Sequence, residues 1–259
     1  MPAPLAGIMI KPILLLTMMM GTMIQAAPIV FQSPERQTAL LELYTSEGCS
    51  SCPPAEAWLS KMKNEPGLWS ECVPVAFHVD YWNNLGWRDG LSSEQYTERQ
   101  RGYARAWSSE EIYTPELVLN GKEWHNWLGF RGSPTSSGAR NGVLSAHSDD
   151  GKHWQAEFIP SNDSGTDYEV TAALLINGVV SDVAAGENSG RHLHHDFAAL
   201  SLITRPLTNQ TNVWAGQFVI DPAPKNANGR LALAVWVTCS GQLEPLQATG
   251  GWLPTSPVK

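Results

Sequence analysis

The chain has 259 residues and is 42% hydrophobic. That is enough apolar material for one large or two small packed domains, and too much for a disordered polymer. Its 17 Lys and Arg face 25 Asp and Glu, for a net charge of -8. With no basic run anywhere, this excludes a general nucleic-acid binder, which needs a basic face.

In chain order, Lys11 precedes an apolar run, Ile13 to Met20, followed by Gly21 and the small-residue end Gln25-Ala26-Ala27. This pattern predicts a signal peptide over residues 1–26, and the run is too short to span a bilayer comfortably. No later stretch reads as a membrane span. The mature protein is therefore expected to be exported, periplasmic or secreted, in a compartment where disulfides persist.

Residues 39–45 are a short apolar run bounded by turn signals, the signature of a central strand. Cys49-Ser50-Ser51-Cys52-Pro53-Pro54 follows; paired prolines are tolerated in the first turn of a helix, here predicted to Lys63 and ended by Pro66-Gly67. Residues 73–79 predict a second strand, leading into an aromatic-rich connection. Ser92 with Gln95 three positions on is a capping-box signature for a helix to about Trp107, with Tyr96, Tyr103 and Trp107 on one face. Thr114-Pro115 precedes residues 116–124, where Asn120-Gly121 signals a two-residue hairpin turn. Residues 131–142, rich in Gly, Ser, Pro and Thr, read as a linker. Beyond them, strand-like segments at 154–159, 168–176, 179–183, 213–220, 231–239 and 243–248 alternate with turns and predict a β-sandwich. The expected division is residues 28–142 and 143–259.

Cys49 and Cys52 carry the chemistry. A cysteine at a helix start, with unpaired backbone N–H groups directed toward it, has its thiol pKa lowered from about 8.5 into roughly the 3.5–7.5 range. The thiolate is the species that attacks a disulfide. Cys49 is then the attacking residue and Cys52 the one that resolves the mixed disulfide. A zinc half-site would need two further ligands, and Cys72 and Cys239 are isolated. A purely structural disulfide is the other alternative.

The order strand, Cys-x-x-Cys, helix, strand, helix, Thr114-Pro115, hairpin resembles the thioredoxin fold. More closely, the stretch from Glu42 to Ala55 is similar to a secreted bacterial thioredoxin-like family catalogued as a domain of unknown function. Phe77 to Trp82, Leu85-Gly86-Trp87, Thr97 to Arg101, Tyr113-Thr114-Pro115 and Ala185 to Arg191 carry the same resemblance. It implies an α/β thioredoxin-like domain over 28–142, followed by an all-β, sandwich-like domain over 143–259, and it assigns no substrate. Two positions depart from an ordinary thioredoxin. Residues 124–142 give no closing-helix signal, and Leu43 stands where a buried acid is usual, with Glu42 on the opposite strand face.

Further candidates complete the reading. Glu42, His78 and Asp80 are candidates for proton transfer. Thr114, Pro115, Trp82 and Trp87 are candidates for substrate binding, and a cis Thr114-Pro115 bond would suit that position. Cys72 and Cys239 are candidates for a structural disulfide. His192 and His194, on one face of a strand-like segment, form a weak alternative metal site. The expected function is thiol–disulfide oxidoreduction on exported protein or small-molecule thiols and disulfides, together with a further redox partner. It requires no cofactor beyond the Cys49–Cys52 disulfide itself. The alternatives are a periplasmic copper-binding or delivery module, or a non-catalytic interaction protein.

Overall fold

The computed structural model describes residues 27–125, 127, 129, 134, 138–162, 167–221, 223 and 228–254. The expected signal peptide lies outside the described residues. The chain forms β1 (Ile29–Gln32), β2 (Ala39–Thr45), α1 (Pro53–Ser60, continued by a 3₁₀ turn, Lys61–Asn64), β3 (Cys72–His78), α2 (Glu94–Ala106), β4 (Glu116–Leu119) and β5 (Lys122–Glu123). There follow β6 (Gly142–Ser148), β7 (His153–Pro160), β8 (Tyr168–Asn177), β9 (Val179–Asp182), β10 (His192–His195) and β11 (Ala198–Pro206). The last four are β12 (Thr208–Gln210), β13 (Val213–Val219), β14 (Arg230–Cys239) and β15 (Pro245–Trp252).

Eight strands form one mixed sheet in the order β15-β14-β8-β11-β3-β2-β4-β5, and five form an antiparallel sheet in the order β1-β6-β7-β13-β12. A small hairpin of β9 and β10 stands apart from both. Within the large sheet, β2 and β3 run parallel in continuous register from Ala39↔Cys72 to Thr45↔His78. Strand β11 pairs antiparallel with β8 and touches β3 through a single parallel bridge, Ala198↔Ala76.

This sheet corrects the expected fold class. The described residues are 46% strand and 12% helix. Strands from before and after residue 142 hydrogen-bond into one sheet, so the molecule is not an α/β thioredoxin-like domain followed by an all-β domain. The unread strand β11 makes the difference, because it joins β3 to β8.

The core explains why the central strands are apolar throughout. All seven residues of β2 and all seven of β3 are buried, as expected of strands covered on both faces. In β14, Ala232, Ala234 and Trp236 face the cluster that includes Leu59 and Met62 at the α1 end and Tyr96 and Tyr103 of α2. Leu233, Val235 and Val237 face a second cluster shared with Trp154 and Phe158 of the five-stranded sheet. The period of two thus splits one strand between two cores.

Local signals resolve as follows. Ser93, one residue later than expected, caps α2, its side chain accepting from Gln95 N. Asn120 (φ 49°) and Gly121 (φ 78°) are both left-handed, as a tight hairpin turn requires, and Asn120 Oδ1 accepts from Leu40 N at 2.9 Å. Cys72 and Cys239 are free thiols. Cys72 lies on β3 and Cys239 on β14, with β11 and β8 between those strands in the sheet, so the expected disulfide between them is corrected: the two sulfurs are too far apart to join.

Candidate functional site

Strand β2 ends at Thr45 and the chain turns twice. Cys49 N donates to Ser46 O at 3.1 Å and Cys52 N to Cys49 O at 3.2 Å. These turns bring the Cα atoms of Cys49 and Cys52 to 5.4 Å, and the two are joined as a disulfide. Cys52 is the N-cap of α1, with the two prolines in its first turn.

Those prolines alter the expected electrostatics. Neither has an N–H to direct at sulfur. The next two amides, of Ala55 and Glu56, both donate to Cys52 O, at 2.9 and 3.1 Å. The near polar group is instead the Ser51 hydroxyl, 3.4 Å from Cys49 Sγ. The field of the helix start acts through its dipole and this hydroxyl, not through free amides.

Ser50 and Ser51 are exposed, yet both cysteines are fully buried. A segment from the second half of the chain lies over them. Asn188, fully buried, donates its Nδ2 to both Glu47 O and Cys49 O at 2.9 Å. Glu187 Oε2 accepts from Ser50 N at 3.1 Å, and Arg191 holds Asn188 Oδ1 at 2.7 Å. On the other side, Trp82 packs against Gly48, where an added Cβ would stand 3.1 Å from Trp82 Cβ. Trp82 Nε1 donates to Thr114 Oγ1 at 2.9 Å, and the Thr114–Pro115 bond is cis.

Beside the disulfide lies a buried polar network. Thr45 donates to Glu56 Oε1 at 2.6 Å, and His195 Nδ1 meets Glu56 Oε2 at 2.5 Å. Glu47 Oε1 is 3.3 Å from His195 Nε2, and Trp87 Nε1 donates to Glu47 Oε2 at 2.6 Å. His78 Nδ1 meets Asp89 Oδ2 at 2.7 Å, an oxygen that also accepts from Glu47 N. Burial alone would depress the His195 pKa, but Glu47 and Glu56 outweigh it and push it up to about 10. His78 shows the same contest: burial lowers it, Asp89 raises it further, and the net direction is up. Conversely, burial would raise the Glu47 carboxyl, but hydrogen bonding, chiefly to His195, holds it below the usual carboxylate range.

The expected site residues therefore separate. Cys49, Cys52, Trp82, Trp87, Thr114, Pro115 and His78 gather around the Cys loop. Glu42 does not: its carboxylate is taken by Arg99, Tyr44 and Tyr103. Asp80 accepts from the Thr97 hydroxyl at 2.6 Å and ties β3 to α2. His192 and His194 are exposed on one face of β10, with His192 bound to Asp182. Sequence reasoning missed Glu47, Glu56, Asp89, Asn188 and His195 as site residues.

Glu116, next to Pro115, is a further buried acid. Burial first, then the charges of Glu123 on β5 and Glu42 on β2, push its carboxyl up to about 7, against a hydrogen bond from Gln100 on α2. The folded chain thus holds a proton that the unfolded chain releases near pH ~4.3. The associated stability is present below that value and lost as pH rises through 7. Glu116→Gln is expected to stabilise the protein by about 1–2 kcal/mol at pH 8 and by little at pH 4, allowing for solvent screening. Urea unfolding at the two pH values checks this, and equal effects at both would refute it.

The fold is shared with solved structures. A structural-genomics crystal structure from Agrobacterium tumefaciens is 24% identical with a TM-score of 0.57, covering 83% of this chain and 93% of that one. HBP35 of Porphyromonas gingivalis is 14% identical with a TM-score of 0.56, covering 86% of this chain and 79% of that one. At these identities the likeness concerns the fold alone. The chain has no match among curated proteins. Among the described residues, no helix is long and apolar enough to cross a membrane. Residues 40–238, which hold every part of the site above, match the family described as "Protein of unknown function (DUF1223)", and the chain belongs to that family.

Proposed function

We propose that the chain is an exported thiol–disulfide oxidoreductase working through Cys49 and Cys52. The observation that carries this reading is the closed Cys49–Cys52 disulfide at the start of α1, in a loop whose two intervening serines are exposed. Such a pair cycles between a dithiol and a disulfide without a cofactor.

In the reducing direction, the Cys49 thiolate attacks one sulfur of a substrate disulfide, and the other sulfur leaves as a thiolate. A mixed disulfide now joins Cys49 to substrate. The Cys52 thiolate attacks Cys49 Sγ, the substrate sulfur leaves, and the Cys49–Cys52 disulfide closes. Two electrons pass from protein to substrate, and the oxidising direction reverses each step. Ser51 is placed to donate to the Cys49 thiolate. Trp82 and Thr114, linked by a hydrogen bond beside the loop, form the edge against which an extended substrate segment packs.

The test is the Cys52→Ser variant. Its Cys49 thiol is expected to react with oxidised glutathione at neutral pH and stop at a stable mixed disulfide, reversed by dithiothreitol. Its thiol pKa should lie well below the ordinary ~8.5. A pKa at or above that value, with reaction no faster than that of free cysteine, would overturn the reading. The chain would then carry a structural disulfide.

A further inference from the structure

The buried cluster of Glu56, His78 and His195 has a chemistry that the redox pair does not use. The three come from α1, β3 and β10, and one ligand atom from each lies within 4.8 Å of the others. Relative exposures are 6%, 0% and 1%. Asp89 engages His78 Nδ1, which fixes the ring and leaves Nε2 toward the interior. The His78 ring stands edge-on to His195, with ring centres 5.0 Å apart.

One atom there is unexplained. His78 Nε2 is buried with no hydrogen-bond partner, whereas His195 Nε2 faces Glu47 Oε1 at 3.3 Å. Buried ring nitrogens almost always have a partner, and one that lacks it calls for an explanation. A carboxylate hydrogen-bonded to the far nitrogen of an imidazole is also the common support of a metal-binding histidine, and His78 has that support in Asp89.

The geometry points to a divalent transition-metal site, of the zinc class, built from His78, His195 and Glu56, with the Glu47 carboxylate beside it at His195 Nε2. Imidazole and carboxylate donors suit zinc and its neighbours, whereas Cu(I) favours thiolates, and both nearby cysteines are committed to a disulfide. The two glutamates supply the two negative charges that a divalent ion neutralises. Zinc ligands at about 2.0–2.2 Å from the metal stand roughly 3.3 Å from one another, so small side-chain rotations close the set. Glu56 also lines a cleft of about 660 Å³ walled by His192, His194 and Lys63, which gives an ion a route in from solvent. This site is independent of thiol exchange, since it is complete while the cysteines are oxidised.

The experiment uses the oxidised full-length mature protein, stripped with a chelator and titrated with Co(II) and Zn(II). One equivalent of Co(II) is expected to bind with the visible absorption of a four-coordinate nitrogen–oxygen site, and Zn(II) to displace it. His78→Gln and His195→Gln should each weaken binding by at least about 100-fold. His192→Gln and His194→Gln should leave it unchanged. If the buried variants fail to fold, the wild-type melting temperature carries the test, since an ion held only by the native state raises it with concentration. No stoichiometric binding and no thermal shift would overturn the site, as would binding that disappears with His192 and His194. Exchange activity in the Cys52→Ser assay reads the other proposal and is untouched by either result.

Discussion

Arg99→Ala is expected to lower the unfolding free energy by about 3–5 kcal/mol, because it leaves a buried carboxylate without its counter-charge. Glu42 is 1% exposed in the middle of β2. Arg99 grips it with both arms of its fork, Nε to Oε2 at 2.6 Å and Nη2 to Oε1 at 3.0 Å. Tyr44 and Tyr103 donate their hydroxyls at 2.9 and 2.5 Å. The guanidinium also lies 5.8, 5.4 and 5.1 Å from the ring centres of Phe77, Tyr103 and Trp236, so truncation removes packing as well as charge. For a chain of this length the melting temperature falls by roughly 2–4 °C per kcal/mol, and calorimetry reads the shift directly. Adding Glu42→Gln to Arg99→Ala should recover part of the loss, because the stranded charge is then gone. A loss below about 1 kcal/mol would mean the pair behaves like an exposed one. The same geometry explains why Glu42 is no proton carrier for Cys52: every contact it makes faces α2 and the sheet.

The local features of this chain were legible and the long-range ones were not. The Cys-x-x-Cys turn, the apolar strands β2 and β3, the Asn120-Gly121 hairpin and most later strands follow from residue spacing. Strand β11 was not read, and its one bridge to β3 joins residues 122 positions apart, Ala76 and Ala198. No local pattern encodes such a partner. His195 is the instructive case at the site. The exposed histidines drew attention, but in β10 the burial alternates, and Leu193 and His195 point inward; the period of two held the signal. Glu56 carries no local signal of burial, because its partners are Thr45 and His195, 11 and 139 residues away. A charged residue within a helix face turns inward only when distant groups satisfy it.

Asn188→Ala is expected to speed reduction of the Cys49–Cys52 disulfide by about 10- to 100-fold. Both sulfurs are fully buried, so a reductant must wait for the segment over them to open, and the rate scales with the open population. The Asn188 side chain is the principal tie, bridging Glu47 O and Cys49 O at 2.9 Å each. Removing it strands two carbonyls and costs the closed state about 1–3 kcal/mol, and each 1.4 kcal/mol is about tenfold in population. Glu187 holds the same segment through Ser50 N but is exposed, so Glu187→Gln should change the rate by less than about threefold. Trapping with dithiothreitol and alkylation at fixed intervals measures both variants against the parent. An unchanged rate in Asn188→Ala would mean that reductant reaches the sulfurs from the Trp82 and Thr114 side. A faster rate would place control of the redox pair in the second half of the chain, in a segment about 140 residues from the cysteines it covers.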